Sequence, residues 1–154
     1  HESPLRPERF VTRKIVATAC RIGQGGNEKL RLGDVDIRRD WGWAPEYVEA
    51  MWAMLQLEQP EDFVIATGEL NSLRDFASAA FAFLGLDLDE HLVLDPSLLR
   101  PTDIQCSVGV PDKAAARRGW KAKMRMNEVV GEMVKAELAM ASLSASARPI
   151  GNID

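Results

Sequence analysis

The sequence predicts an α/β domain that is mostly helical, with a few short strands. Three observations carry this. Apolar residues recur at helical spacing over Phe10–Ile22, Glu46–Leu57, Leu73–Leu84 and Asn127–Met140. Only short stretches have strand character: Lys29–Leu32, Phe63–Thr67 and Leu92–Leu94. Glycine or proline punctuates these segments. Strands so few and so short are not expected to make a sheet of their own.

Each element follows from local chemistry. Residues 1–9 hold Pro4, Pro7 and alternating charges, and read as an extended loop. In the first helix Phe10, Ile15, Ala19 and Ile22 fall near one face, and Gly23, Gly25 and Gly26 end it. Gly33-Asp34 closes the strand candidate at Leu32, and Asp36–Trp41 is a further extended piece. Pro45 suits the first turn of the second helix. Tyr47, Val48, Met51, Trp52, Met54 and Leu55 form a broad stripe there, which predicts a well-buried helix. Pro60 stops it. The continuous apolar run FVIAT, ended by Gly68, suits a strand covered on both faces. Asn71 or Ser72 can cap the third helix, and Gly85 can stop it. Residues 95–111 carry three prolines and read as an ordered loop. Asp112 can cap a short helix ending at Gly119. The expected domain spans residues 1–141, with 142–154 an Ala/Ser-rich tail prone to fray.

Composition narrows the function classes. The 154 residues are 46% hydrophobic and 27% charged, as in an ordinary globular protein. A net charge of −4 argues against a general nucleic-acid or membrane-surface binder. No run of 18 apolar residues and no signal peptide is visible. Cys20 and Cys106 form neither a disulfide framework nor a metal-ligand spacing, so a reduced, cytoplasmic protein is expected.

The common catalytic motifs are missing: GxGxxG, P-loop, GxSxG and HExxH do not occur. His1 and His91 are far apart in sequence, so no metal role is expected of them. Arginine in tight loop settings stands out instead. Arg6 lies between two prolines, Arg38-Arg39 precede Asp40-Trp41-Gly42-Trp43, and Arg100 precedes Pro101-Thr102-Asp103. An arginine fork matches phosphate geometry, and a neighbouring carboxylate can accept from sugar hydroxyls or guanine N–H groups. Salt bridges on a solvated face are the alternative use of the same residues.

The strings HESPLR, FVTRKI, LGDVDIRRDWGWAPEYVEAMW, EDFVIATGE, DPSLLRPTDI and DKAAARRGW occur in this order. Together they resemble the C-terminal part of the GDP-mannose 4,6-dehydratase family, within the extended short-chain dehydrogenase/reductase superfamily. The resemblance covers roughly residues 1–140. It implies the C-terminal part of an extended short-chain dehydrogenase/reductase fold, with the Rossmann core largely absent.

The resemblance also implies site residues. His1 and Arg6 match positions that contact NADP. Val11 and Lys14 match positions lining the nucleotide-sugar pocket. Arg39 and Arg100 match arginines at the diphosphate, and Asp103 a carboxylate at the ribose. This sequence departs from the pattern at three places. Asp103 stands where a glutamate is expected, Leu5 where many relatives carry arginine, and Pro7 where glycine is common.

The glycine-rich cofactor motif and the Tyr-x-x-x-Lys pair lie upstream of the HESP segment in the family, and neither is in these residues. The only tyrosine, Tyr47, lacks a lysine four positions on and falls on the apolar stripe, which predicts core packing. No catalytic residue is therefore expected in this chain. The implied role is the substrate-binding half of an enzyme that converts GDP-mannose to GDP-4-keto-6-deoxymannose, with NADP as cofactor and loss of water. The full-length enzyme is expected to be a dimer or tetramer, with no membrane or nucleic-acid partner. A non-catalytic GDP-sugar-binding fragment and a related GDP-sugar reductase or epimerase are the alternatives. In a separated half, apolar surfaces meant for the Rossmann sheet are expected to stand open.

Overall fold

A computed structural model of the chain describes residues 1–100 and 102–146. Three helices build the core: α1 (Val11–Gly23), α3 (Leu73–Phe83) and α6 (Met126–Ser146) pack against one another. Ile15, Val16 and Ala19 of α1 meet Phe76, Ala80 and Phe81 of α3 and Val130, Met133 and Val134 of α6. These residues recur three or four apart, so each helix presents one apolar face inward. Where Gly131 of α6 faces the Phe83 ring, an added Cβ would come within 3.1 Å of the ring.

The termini of α3 follow local rules. Ser72 and Asp75 form a reciprocal capping box, with the Ser72 hydroxyl accepting from the Asp75 N–H at 3.1 Å. The Asp75 carboxylate accepts from the Ser72 N–H at 2.9 Å and from its hydroxyl. Gly85, at φ 72°, turns the chain out of the helix. The short α5 (Asp112–Arg118) follows Pro111, with no side-chain cap, so Asp112 lies inside the first turn and does not cap it.

Among the described residues, five strands of two or three residues form two small sheets, where no independent sheet was expected. β1 (Leu30–Leu32) pairs in parallel with β4 (Leu92–Leu94), Leu30 opposite Leu92. β2 (Arg38–Arg39) lies between antiparallel β3 (Asn71–Ser72) and parallel β5 (Cys106–Ser107). The one-turn α4 (Leu88–His91) leads into β4, and a 3₁₀ turn at Pro96–Leu98 follows it.

Two expectations are corrected. α2 (Ala44–Met54) forms where expected, but only Tyr47 and Ala50 are buried. Val48, Trp52 and Leu55 stand 61%, 66% and 82% exposed. The periodicity marks an apolar face, and among the described residues nothing covers it. The FVIAT stretch forms no helix and joins no strand ladder among the described residues. It is held from the side, as the Asp40 carboxylate accepts from the Thr67 and Gly68 N–H groups at 3.0 and 2.8 Å. α6 continues through Ser146. Alanine favours the helix there, and Ser142 and Ser144 donate back to the carbonyls of Leu138 and Met140. Residues 147–154 of the expected tail lie outside the described residues.

Candidate functional site

An open cleft of about 900 Å³ lies at the carboxyl ends of β1, β2 and β4. Ligands of α/β proteins collect at such strand ends. Four stretches of chain, with Leu73 of α3, form its wall. These are the N-terminal loop with the first turn of α1, residues 31–34 at and beyond the end of β1, residues 37–41 around β2, and residues 97–100 with Asp103 after β4. Gly33 is required where two of them meet, because a Cβ there would lie 2.7 Å from the Leu98 carbonyl oxygen.

All seven residues singled out from the sequence line this cleft: His1, Arg6, Val11, Lys14, Arg39, Arg100 and Asp103. The His1 ring lies 5.0 Å from the Tyr47 ring, centroid to centroid. The Arg6 guanidinium sits 4.0 Å above the Phe10 ring, and its Nε is 3.2 Å from the Glu2 carboxylate. That Nε is buried and not aligned for a hydrogen bond. The Lys14 ammonium donates to the Arg31 carbonyl at 2.6 Å. Arg39 donates to its neighbour's carbonyl at 2.8 Å and meets Asp103 at 3.4 Å. The Asp103 N–H donates to the Arg100 carbonyl at 3.2 Å, so one turn presents both residues. Arg13, beside Lys14, turns away and pairs with Glu137 of α6.

Sequence reasoning missed Glu2, Asp34 and Asp40 in this wall. Glu2 is only 4% exposed, and burial pushes its carboxyl above the usual range against the opposing pull of Thr12 and Arg6. Its backbone joins the loop before α2, donating to the Gly42 carbonyl and accepting from the Ala44 N–H. A glutamate in a Pro-rich charged loop looks solvated, and no local pattern marks it as buried. Asp34 and Asp40 are committed to the scaffold. Asp34 accepts from the Asp36 N–H and the Gln105 side chain. Asp40 accepts from Thr67 and Gly68.

Tyr47 is buried, and burial, with Asp40 and Glu46 nearby, pushes its phenol up to about 12. It stays protonated near neutral pH and packs edge-on to Trp120 at 6.0 Å. Burial pushes the Cys20 thiol up to about 11, whereas Cys106 is exposed. Among the described residues no group of three or more His, Cys, Asp or Glu side chains could hold a metal ion. No helix among them is long and apolar enough to cross a membrane.

Residues 1–133 match the family model for GDP-mannose 4,6 dehydratase. The chain belongs to that family. It is 41% identical over its whole length to GDP-mannose 4,6 dehydratase 1 of Arabidopsis thaliana, covering 43% of that protein. It is 40% identical to the GDP-mannose 4,6 dehydratase of Homo sapiens, over 91% of this chain and 42% of the human one. The chain thus spans less than half the length of these relatives. Two solved structures share the fold at low identity. RMD from Pseudomonas aeruginosa, complexed with NADPH, superposes with a TM-score of 0.78 at 17% identity, covering 88% of this chain and 44% of that one. The dTDP-glucose 4,6-dehydratase of Bacillus anthracis, in complex with NAD, gives 0.78 at 15% identity, covering 92% and 43%. The fold is part of an extended short-chain dehydrogenase/reductase α/β architecture, as expected.

Proposed function

We propose that this chain is the substrate-binding portion of a GDP-mannose 4,6-dehydratase, a lyase that converts GDP-mannose to GDP-4-keto-6-deoxymannose. The observation that carries this reading is convergence: seven residues from three separate stretches line one cleft at the strand ends. Lys14, Arg39 and Arg100 bring positive charge to the diphosphate, whose oxygens an arginine fork can take two at a time. Asp103 accepts from the ribose hydroxyls, and Val11 gives the wall an apolar patch. Grip on the GDP portion holds the hexose in position, which is how binding remote from the reacting carbons aids the reaction.

His1 and Arg6 fit the edge of an NADP site. The Arg6 guanidinium is steadied by Phe10 and Glu2, and its side chain, 34% exposed, lines the cleft. Bound there, NADP supplies the hydride exchange of the reaction. The acid and base of the dehydration belong to the rest of the full-length enzyme, in our reading a cytoplasmic homo-oligomer. The bare apolar face of α2 is then where that remainder packs.

Isothermal titration of this chain with GDP-mannose, GDP and mannose tests the cleft. The expected result is heat with GDP-mannose and GDP and none with mannose. Mannose binding without GDP binding, or no GDP binding at millimolar ligand, would overturn the reading.

A further inference from the structure

Tyr47 is the only tyrosine of the chain, and the cleft chemistry described above makes no use of it. Its ring is nevertheless held between the cleft and the interior. On one side the His1 ring lies 5.0 Å away, tilted by 35°. On the other the Trp120 ring meets it edge-on at 6.0 Å. Trp120 is anchored in turn, because its indole N–H donates to the Glu46 carbonyl at 3.3 Å. The Glu46 carboxylate accepts from the N–H groups of Lys123 and Met124 at 3.0 and 3.2 Å, which ties that stretch to the start of α2.

Gly42 completes the support. A Cβ there would lie 2.5 Å from the edge of the Tyr47 ring and from its hydroxyl, so the ring occupies space that any other residue would claim. The Gly42 carbonyl also accepts from the Glu2 N–H at 2.8 Å, and the Glu2 carbonyl accepts from the Ala44 N–H at 2.9 Å. The backbone beside His1 is thus fixed to the loop before α2, and the His1 ring rests on a residue of α2.

His1 is exposed where it lines the cleft, and an exposed side chain without a neighbour samples several rotamers. Contact between rings narrows that choice. We propose that Tyr47 is a positioning residue: its ring, braced by Trp120 and Gly42, sets the orientation in which His1 meets the nicotinamide cofactor. Tyr47 does not itself line the cleft, so it acts through His1. Orienting a contact group beforehand lowers the ordering cost of binding. This inference rests on the reading of His1 as a cofactor contact.

The test is nuclear magnetic resonance of the 154-residue chain, whose two histidines, His1 and His91, give separable imidazole signals. Tyr47→Phe keeps the ring and is expected to leave the His1 signals in place. Tyr47→Leu removes it, and the His1 signals are expected to move toward those of a free imidazole. His91, which packs on Phe81 at 5.7 Å, is expected not to respond. The same signals follow NADP added to millimolar concentration. Tyr47→Leu is expected to weaken NADP binding about two- to tenfold, the scale of one aromatic pair. Tyr47→Phe is expected to restore it, and GDP affinity is expected to be the same in all three chains. Gly42→Ala displaces the Tyr47 ring without altering either partner and serves as a second variant, expected to behave as Tyr47→Leu. Circular dichroism confirms the fold of each. Unmoved His1 signals in Tyr47→Leu would overturn this inference and leave the cofactor reading standing, as would moved signals with unaltered NADP affinity. Equal losses of NADP and GDP affinity would also overturn it, by showing general damage to the cleft. No response of His1 to NADP in the unaltered chain would overturn both.

Discussion

The Asp40 carboxylate accepts from both the N–H and the hydroxyl of Thr67, at 3.0 and 2.6 Å. With the Gly68 N–H at 2.8 Å, it fastens the FVIAT stretch to the end of β2. Hydrogen bonds to a charged group contribute about 1.5–3 kcal/mol each, and these are partly solvated. Asp40→Ala is expected to lower stability by about 2–3 kcal/mol, and Thr67→Val by about 1 kcal/mol. Urea denaturation followed by circular dichroism measures both. Equal, negligible losses would mean that the contact does not anchor this segment.

Trp52 and Phe76 make a contrasting pair. Phe76 is fully buried and packs 5.1 Å from the Trp41 ring, whereas Trp52 is two thirds exposed. Phe76→Ala is expected to cost about 3–5 kcal/mol. Trp52→Ala is expected to stay within about 0.5 kcal/mol, as surface changes do, although the apolar stripe of its helix suggests a core position. The same denaturation series decides. A large loss at Trp52 would show that another surface covers it under the conditions of measurement.

These residues show what is legible from local sequence. α3 is legible because its cap, Ser72 with Asp75, and its stop, Gly85, lie within the segment they define. FVIAT is not, because a strand exists only through a distant partner, and composition cannot supply one. The stripe of α2 correctly marks an apolar face, but periodicity does not say what lies against it. In the cleft, Arg13 and Arg39 look alike in sequence. One pairs with Glu137 across the α1–α6 interface and the other enters the cleft, a distinction made by contacts more than 60 residues away. The candidate site was legible through its family resemblance; spacing alone left the arginines ambiguous between anion binding and surface salt bridges.

The capping box also sets a pH dependence. Hydrogen bonds from the Ser72 side chain, then its backbone N–H, hold the Asp75 carboxyl below the usual range. A carboxyl depressed in the folded state stabilises the fold above its unfolded value, and that contribution is lost as pH falls through the folded one. Ser72→Ala is expected to cost about 1 kcal/mol near neutrality. The difference from the unaltered chain is expected to shrink as pH drops through the carboxylate range. Glu2 has the opposite sign: its raised value favours the fold at low pH and withdraws that support as pH rises. Stability curves from pH 7 to 3 for Ser72→Ala and Glu2→Gln separate the two. A Ser72→Ala deficit that does not narrow in acid would exclude the capping carboxylate as its source.

Charge in the cleft sets the last expectation. Arg39 enters the cleft from β2 and Arg100 from the turn after β4, so in the proposed reading a diphosphate would meet the two from different stretches of chain. Each removal takes away hydrogen bonds to a charged group, so Arg39→Ala and Arg100→Ala are each expected to weaken GDP-mannose binding by about 1.5–3 kcal/mol. The effects differ in one respect. Arg39→Ala also leaves Asp103 without its ion-pair partner, and an unneutralised carboxylate repels phosphate. Arg39→Ala is therefore expected to be the more damaging of the two, and the more sensitive to salt, because added ions screen that repulsion. Titration at about 0.02 and 0.3 M salt reads both quantities. Unchanged affinity in both variants would place the nucleotide site elsewhere on the chain.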